Sequence, residues 1–475
     1  MSSDLSRTES EGRVAVIGAG SSGMAACQAL RERGLAFDCF EKGSDVGGLW
    51  RYENDNGLAS AYASLHVNTS RKTAQYSSYA MPDDYPDFPH HTQMLAYLQE
   101  YAEHFSLREH IRFCTEVTAI RQVGGDGWEV EWREADGAVH TDRYAGVLVA
   151  SGHHWCPRNP EPLPGSFGGL EIHSHFYRTA RDFEGMNVLV VGLGDSAVDI
   201  ASDTSRVSKM TFLTARRGAW ILPKYFGGQP LGEVALRLMS RSPISGEVAG
   251  GPLFKLTTSV FSRLNTLQLG RPEAHGLPKP DHKFGADIAA VASDFYTRIG
   301  HGRVTPKPWI SRTEGKQVFF NDGSAEEIDV IVYCTGYKIA LPFLPRAVVD
   351  ADGTVPLYKR VVHPELPGLY FVGLIDVAGP LNPLAELQAQ WIADLLEGKV
   401  RLPSSARMRQ AIAREDRRRQ KRFGARGRHA IYVDYAPYHL ALRRERRRRR
   451  GRDGASEQLL AQPVHADRAG ERLPT

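Results

Sequence analysis

The amino-acid sequence predicts an α/β fold with two Rossmann-like dinucleotide-binding domains, one inserted into the other. Two glycine-rich turns support this fold, because each follows a short apolar run and leads into a helix-like segment. A third observation is a strand-like run at 369–374, far beyond the second turn. We therefore expect the chain to leave the first sheet, build the second domain, and return to the first sheet near its end.

The first unit, at the start of the chain, has the residue spacing of a dinucleotide site. An apolar run at 14–17 has the composition of a buried parallel strand. Gly18 permits a tight turn, Gly20 lets the backbone approach a pyrophosphate, and Gly23 lets the following helix pack closely on the strand. Glu41 follows the next strand, where a carboxylate can accept hydrogen bonds from ribose hydroxyls. An unphosphorylated ribose and the early position in the chain favour FAD; the alternative is a glycine-rich turn with no ligand.

The second unit has the same order of elements but a different residue after its second strand. An apolar run at 188–191 is followed by Gly192 and Gly194, and Ala197 takes the third small position. The next strand ends at Arg216 rather than at a carboxylate. A carboxylate would repel a 2′-phosphate and an arginine would bind it, so this unit is predicted to prefer NADP(H). The alternative is that Arg216 and the arginine after it are a solvated pair near a helix end.

The composition is that of a globular protein, with 42% hydrophobic and 24% charged residues, which argues against disorder. The net charge of +4 is too small to indicate a nucleic-acid partner. The five cysteines include no Cys-x-x-Cys pair, so neither a redox dithiol nor a metal site is predicted. The first twelve residues lack the apolar core of a signal peptide, and no apolar run is long enough to span a bilayer. We expect a cytoplasmic protein.

Residues after the first unit are further candidates for contact with a ligand. Two adjacent glycines at 47–48 indicate a backbone that runs close to a ligand, which Leu49 and Trp50 could line. The alternative is a turn beside a core tryptophan. Asn68 and Thr69 lie in a cluster of small polar residues, for which a helix cap or a turn is the usual role. Asn68 is also a neutral donor and acceptor that could hold a polar reaction intermediate.

Two nucleotide units in one chain imply that hydride passes from a nicotinamide to a flavin. Thr335 lies where the chain is expected to cross back to the first domain. A helix at 383–396 could direct the positive end of its first turn at the flavin and stabilise the reduced anion, with Gln388 within reach. Several enzyme classes share this arrangement, so the nucleotide units alone do not choose the reaction.

The segment before the second unit carries a pattern that narrows the choice. Phe167, Gly169, His173 and Tyr177 match the FxGxxxHxxx(F/Y) fingerprint of the flavin-containing monooxygenases, and their place just before the second turn matches as well. The residues around Asn68 and the runs at 41–50, 151–154, 334–337 and 385–388 are similar to the same family. The resemblance covers roughly residues 12 to 435. Baeyer–Villiger relatives usually carry a tryptophan where Tyr177 stands.

The resemblance implies a role for each matching residue. FAD would be held by Gly18, Gly20, Ser22, Gly23, Glu41, Leu49 and Trp50, and NADPH by Gly192, Gly194, Ser196, Ala197, Asp199 and Arg216. Thr69, Val117, Thr335 and Gln388 complete the cofactor-binding residues. Asn68 would contact the flavin and the nicotinamide ribose together and steady the C4a-hydroperoxyflavin, which makes it the predicted catalytic side chain. The fingerprint histidine lies at the domain junction in this family, so His173 is expected to be structural.

The same resemblance implies the division of the chain. Residues 12–165 and 336–435 would form the two parts of the FAD-binding domain, and 166–335 the NADPH-binding domain inserted between them. An insertion at 220–300 is expected over the mouth of the active site, at a subunit contact, or as extra packing on the second domain. The arginine-rich segment 436–475 is expected to be a disordered, solvated tail; the alternative is contact with nucleic acid or an acidic membrane.

The predicted function is an NADPH- and oxygen-dependent flavin monooxygenase that oxygenates an amine nitrogen or a sulfide sulfur. Its partners would be a small-molecule substrate and O2, and a homodimer would be unsurprising for the family. Two other reactions stay open: Baeyer–Villiger oxygenation of a ketone, and an uncoupled NADPH oxidase that releases peroxide. A nucleotide-binding protein without catalysis is a third alternative, and it would show no NADPH turnover.

Overall fold

The architecture is given by a computed structural model that describes residues 12–448 except 126, 240–245, 293, 350–353 and 425–428. Two five-stranded parallel sheets form its centre. The first sheet takes strands from the first 149 residues and one more at Leu369–Phe371, whereas every strand of the second sheet lies between Leu170 and Tyr333. The second Rossmann-type domain is therefore inserted into the first, which confirms the predicted fold class.

The described helices and strands follow one another along the whole chain. The strands are β1 (Val14–Ile17), β2 (Phe37–Phe40), β3 (Ile111–Arg112), β4 (Glu116–Val123), β5 (Gly127–Arg133), β6 (Val139–Tyr144), β7 (Gly146–Val149), β8 (Cys156–Pro157), β9 (Gly165–Phe167), β10 (Leu170–His173), β11 (Asn187–Val191), β12 (Met210–Thr214), β13 (Ile221–Leu222), β14 (Tyr225–Phe226), β15 (Gln229–Pro230), β16 (Ala290–Val291), β17 (Val304–Lys307), β18 (Ile310–Gly315), β19 (Gln317–Phe320), β20 (Ala325–Glu327), β21 (Val330–Tyr333), β22 (Tyr337–Lys338), β23 (Leu369–Phe371), β24 (Asp376–Ala378) and β25 (Tyr432–Asp434). The α-helices are α1 (Ser21–Glu32), α2 (Arg71–Ala74), α3 (His91–His104), α4 (Asp195–Thr204), α5 (Leu231–Met239), α6 (Pro252–Leu269), α7 (Phe295–Gly300), α8 (Asn382–Leu396), α9 (Ser405–Phe423) and α10 (Tyr435–Arg446).

The first sheet has the strand order β23-β7-β1-β2-β3 and is covered on both faces. Successive side chains of a strand point to opposite faces, and central β1 shows this directly. Val14 and Val16 lie in the core formed with helices α1, α3 and α8. Ala15 and Ile17 lie in a second core, shared with the antiparallel strands β4, β5 and β6. A strand buried on both faces has to be apolar throughout, which is why the run at 14–17 could be recognised.

The second sheet, in the order β10-β21-β11-β12-β17, repeats this arrangement. Val188 and Val190 of β11 face the core formed with helices α4 and α7. Leu189 and Val191 face the other core, where an antiparallel sheet of β18, β19 and β20 covers the strand. Both nucleotide units thus place a buried central strand immediately before a glycine-rich turn.

The insertion predicted at 220–300 contacts the first domain at two places. Near its start, the Tyr225 hydroxyl donates to Asp87 Oδ2 at 2.9 Å, and the Tyr225 ring meets Phe88 edge-on. Further along, buried Glu247 pairs with two buried arginines, Arg360 at 2.8 Å and Arg419 at 2.6 Å. The insertion is therefore more than extra packing on the second domain. In the part of the chain that the structure describes, no helix is both long and apolar enough to cross a bilayer.

The predicted start of a disordered tail at residue 436 is wrong, because helix α10 runs through Arg446. Tyr438 and Leu442 on this helix are fully buried, and α10 packs against α8. Arg446 Nε donates to Asp394 Oδ2 at 2.7 Å, so one of the arginines that suggested a solvated tail is part of the helix contact. The rest of the predicted tail, from residue 449 onward, lies outside the described residues.

Candidate active site

The first glycine-rich turn joins β1 to α1 and has no space for a side chain at two positions. Gly18 has a φ of +99°, and a Cβ there would lie 2.8 Å from the Ala150 oxygen. A Cβ at Gly23 would lie only 1.8 Å from the Gly18 oxygen. Helix α1 begins at Ser21, behind Gly20, and no described side chain caps it. Its first N–H groups thus have no side-chain partner among the described residues, and their contact with a pyrophosphate stays a prediction.

Glu41 directly follows β2, and its carboxylate accepts two backbone hydrogen bonds. Oε2 accepts the Ala19 N–H at 2.7 Å and Oε1 accepts the Gly43 N–H at 2.8 Å. The side chain is buried, and burial raises the pKa of Glu41 in spite of these hydrogen bonds. Each carboxylate oxygen has a second lone pair, so the acceptors that a ribose would need are still present.

The glycines at 47–48 lie against the first glycine-rich turn. Gly48 has a φ of +52°, and a Cβ on it would lie 2.9 Å from Gly20 Cα. The two backbones therefore touch, which explains why residue 48 is a glycine. Leu49 is 37% exposed and so accessible to a ligand. Trp50 is half-buried and packs on the core of the first domain, as the alternative interpretation of this segment proposed.

Asn68 has an unsatisfied amide oxygen at the position where a catalytic side chain was predicted. Its Oδ1 is buried, and no described group forms a hydrogen bond with it. The residues before it are held in place, since Val67 N donates to the Pro89 oxygen at 2.9 Å and Lys224 Nζ approaches the Val67 oxygen at 3.5 Å. Neither Asn68 nor half-buried Thr69 caps a helix, because α2 begins after Ser70. A buried polar atom without a partner fits a site that a bound cofactor completes.

The second glycine-rich turn joins β11 to α4 and repeats the geometry of the first. Gly192 has a φ of +139°, and a Cβ there would lie 2.6 Å from the Cys334 oxygen. Gly194 precedes α4 and has open space where a Cβ would be. Ser196 in the first turn of the helix is half-buried, and Ala197 is fully buried against the sheet. The small third residue therefore has the packing role that the motif predicts.

Asp199 points from α4 towards the first domain. Its Oδ2 accepts the Tyr62 hydroxyl at 2.8 Å, and burial raises the pKa of Asp199 to about 6. A direct contact between Asp199 and NADPH stays a prediction. One turn further along α4, Asp203 accepts hydroxyl groups from Ser64 and Tyr177, each at 2.7 Å. Sequence reasoning missed this second carboxylate, because its partners lie 139 and 26 positions away.

The two arginines after β12 have different environments. Arg217 donates through Nε and Nη2 to Asp281 at 2.7 and 2.5 Å, so it is held in an ion pair. Arg216 is exposed and lies over the Trp309 ring at 5.5 Å. No carboxylate of the described residues pairs with Arg216. Arg216 is thus available for a phosphate, whereas Arg217 is already paired with Asp281.

Three other predicted cofactor residues, Ser22, Val117 and Thr335, lie in packed positions. Ser22 is buried, and a Cβ on Gly373 would lie 1.9 Å from its Oγ. Val117 is buried in the core between the two sheets of the first domain. The Thr335 hydroxyl donates to the Arg158 oxygen at 2.6 Å, at the crossing between domains. These contacts are compatible with a structural role beside a cofactor.

Gln388 forms hydrogen bonds with two other elements of the first domain. The residue is fully buried, its Oε1 accepts the Gly373 N–H at 2.8 Å, and its Nε2 donates to the Tyr438 hydroxyl at 2.7 Å. Both ends of the amide are therefore engaged within the protein. The amide joins α8 to α10 and to the loop after β23, and a contact between Gln388 and the flavin stays a prediction.

The fingerprint histidine lies at the domain junction. His173 ends β10, its Nε2 lies 3.1 Å from the Gly336 oxygen, and its Nδ1 accepts the His175 N–H at 3.0 Å. Because Nδ1 is an acceptor, the ring hydrogen must be on Nε2, which donates to Gly336. Burial lowers the pKa of His173, which also favours the neutral ring.

The chain has two Rossmann-type units that contact each other, and each has a glycine-rich turn directly after its central strand. This arrangement is typical of an oxidoreductase with two nucleotide sites. A family model described as FMO-like, flavin-binding monooxygenase-like, matches residues 11–444. The chain belongs to this family. It is a flavin-dependent monooxygenase that uses flavin and NADP(H) and acts on a small molecule and O2.

Relatives and solved structures agree with this assignment. Rat flavin-containing monooxygenase 5 is 36% identical over 435 residues, which cover 89% of this chain and 80% of the relative. Guinea pig dimethylaniline monooxygenase [N-oxide-forming] 2 is 32% identical, over 90% of this chain and 81% of the relative. The structure of S-allyl-L-cysteine S-oxygenase from Allium sativum is similar with a TM-score of 0.68 and 26% identity, covering 91% of this chain and 88% of the other. Cyclohexanone monooxygenase, at 18% identity and a TM-score of 0.66 over 92% of this chain and 97% of the other, shares the fold.

Proposed function

We propose that this protein uses FAD and NADPH to oxygenate the nitrogen or sulfur atom of a small, soft nucleophile. The observation that carries the proposal is Asn68, whose buried amide oxygen has no partner among the described residues. A neutral amide can donate and accept hydrogen bonds without bringing a charge to the reacting atoms. The relatives support the substrate class, because one is named for forming an N-oxide and another for oxygenating a sulfur.

Residues of both turns are suited to hold the two nucleotides. The N–H groups behind Gly20 and Gly194 would bind the pyrophosphates at the starts of α1 and α4. Glu41 would accept from the FAD ribose, and Arg216 would bind the 2′-phosphate of NADPH. The other proposed cofactor residues are Gly18, Ser22, Gly23, Leu49, Trp50, Thr69, Val117, Gly192, Ser196, Ala197, Asp199 and Thr335.

The side chains proposed for the site do not need to form an acid–base pair. Bound flavin would supply two-electron transfer from the nicotinamide and activation of O2, with one oxygen atom going to the substrate and the other to water. Asn68 would orient the reacting groups and hydrogen-bond to them, and the half-buried loop that carries it would keep water away. Lys224 would keep this loop in place, because its Nζ contacts the backbone oxygen of Val67, the residue before Asn68.

The reaction is tested by measuring product and peroxide for each NADPH consumed. Purified protein loaded with FAD is given trimethylamine, a thioether or a cyclic ketone in air. We expect N-oxide or sulfoxide to account for most of the NADPH consumed. Peroxide alone with every substrate would identify an oxidase and contradict the proposal.

Baeyer–Villiger oxygenation is the second candidate, since the fold is shared with cyclohexanone monooxygenase. Tyr177 favours the first candidate, because its hydroxyl donates to Asp203 at 2.7 Å and a tryptophan there would have no hydroxyl to do so. An ester formed from the ketone in the same assay would favour the second. The predicted homodimer is tested separately by light scattering.

A further inference from the structure

The loop that carries Asn68 is attached to the second domain. Helix α4 presents Asp199 and Asp203, which are four residues apart and so lie on one face of the helix. Asp199 accepts the Tyr62 hydroxyl at 2.8 Å and Asp203 accepts the Ser64 hydroxyl at 2.7 Å. Two consecutive turns of α4 therefore hold two points of the segment that leads to Asn68.

Further contacts fix the same segment against the fingerprint region. The Ala63 N–H donates to the Arg178 oxygen at 2.8 Å, and Arg178 Nη2 donates to the Ala59 oxygen at 3.2 Å. The rings of Tyr62 and Tyr177 meet edge-to-face at 5.6 Å. The segment 59–64 thus crosses from the first domain onto the second before the chain reaches Asn68.

Asp203 occupies the centre of this contact. One oxygen, Oδ2, accepts both the Ser64 hydroxyl and the hydroxyl of fully buried Tyr177. Hydrogen bonds to a carboxylate are stronger than those between neutral groups, so a shared oxygen fixes the two donors relative to each other. The same helix is ten residues long and begins directly after the glycine-rich turn of the second unit.

We propose that Asp203 is a positioning residue that places Asn68 by holding Ser64 across the domain boundary. The inference rests on the proposed role of Asn68, and it assigns to Asp203 a task separate from nucleotide binding. The start of α4 is proposed to bind the nicotinamide nucleotide, and the end of the same helix holds the loop that carries Asn68. Correct placement of Asn68 therefore depends on the second domain.

The test compares the fraction of NADPH that ends as peroxide in six variants of the full chain loaded with FAD. Ser64→Ala removes the crossing hydroxyl, and Asp203→Leu removes its acceptor. Both are expected to raise the peroxide fraction about tenfold, the change that corresponds to losing one strong hydrogen bond. Asp203→Asn keeps an acceptor oxygen and should restore most of the coupling. Flavin content and the KM for NADPH should not change in Ser64→Ala.

Tyr333→Phe is the matched control, because it removes a tyrosine–carboxylate hydrogen bond of the second domain, to Glu171, away from the Asn68 loop. It should leave coupling unchanged. Combining Ser64→Ala with Asn68→Ala should add nothing to Asn68→Ala, since one residue acts through the other. If Asn68→Ala uncouples and Ser64→Ala does not, this inference is wrong. If Asn68→Ala itself stays coupled, the proposed role of Asn68 is wrong instead.

Discussion

At the scale of single residues, Asn68 is the side chain on which the proposed chemistry depends. Asn68→Ala removes the buried amide but leaves both glycine-rich turns intact, so we expect flavin to stay bound and NADPH to be oxidised mainly to peroxide. The measurement is the amount of product and of peroxide formed for each NADPH consumed. Asn265→Ala is the control, because its Oδ1 is also buried without a described partner, but in helix α6. A fully coupled Asn68→Ala enzyme would contradict the assignment.

Arg216 is the residue expected to distinguish the two nicotinamide nucleotides. Arg216→Ala should raise the KM for NADPH by about 10- to 100-fold and leave the KM for NADH nearly unchanged, because only NADPH carries the 2′-phosphate. Steady-state kinetics with both nucleotides measure this. Arg217→Ala should change the preference little, since Arg217 is bound to Asp281. Equal effects of Arg216→Ala on both nucleotides would exclude the phosphate contact.

Residues in local motifs were the most predictable. The positions of Gly18 and Gly23 follow from a turn closed within six residues, and the structure gives each glycine the steric reason expected. The hydrogen bonds of Gln388 could not be predicted, because its partners, Gly373 and Tyr438, belong to other elements. Asp203 could not be recognised from the sequence, because its hydrogen-bond partners also lie in other parts of the chain.

At the scale of elements, strands were recognised because a parallel strand covered on both faces is apolar throughout. Helix α10 was missed because its three arginines all lie in its last turn and lead directly into the arginine run that follows. The buried positions Tyr438, Ala441 and Leu442 nevertheless have the spacing of one helix face. Charge composition hid an amphipathic pattern that the structure makes plain.

Helix α10 should therefore contribute to the stability of the first domain. Leu442 is fully buried, and Leu442→Ala is expected to lower the free energy of unfolding by about 3 kcal/mol through lost contacts and a cavity. Denaturant unfolding measures the change. Leu267→Ala, on α6, removes a leucine that is 83% exposed and should have almost no effect. Equal stability of Leu442→Ala and the unmodified protein would mean that α10 is not packed.

At the scale of the whole molecule, the junction between domains should respond to pH through His173. The folded protein needs neutral His173, because Nδ1 accepts the His175 N–H, and its pKa is lowered by burial. An unfolded chain takes up a proton near the ordinary pKa of about 6.5. Stability from this residue is therefore complete above that pH and is lost as pH falls through the lowered pKa of the folded state.

The midpoint of thermal unfolding between about pH 5 and 8 tests this. The unmodified protein should lose stability on acidification, and His173→Gln should lose less. His140→Gln changes an exposed histidine of β6 and is the control. Parallel pH profiles for the His173→Gln variant and the unmodified protein would contradict the neutral-histidine account.

The arrangement of the two domains could be predicted, but not their contacts. The order of strand-like runs was enough to expect an inserted domain, because a final strand followed the second unit. The joining of α4 to the Asn68 loop depends on Tyr62, Ser64 and Tyr177, which come together only in the folded chain. Contacts between residues this far apart have no local pattern.

The central claim is that two facing units hold a flavin and a phosphorylated nicotinamide and pass electrons between them. Anaerobic mixing of the flavin-loaded protein with NADPH or NADH, followed by flavin absorbance, tests it most directly. We predict that NADPH bleaches the flavin much faster than an equal concentration of NADH, and that oxygen restores the colour. A folded protein that binds no flavin, or whose bound flavin NADPH does not reduce, would contradict the account.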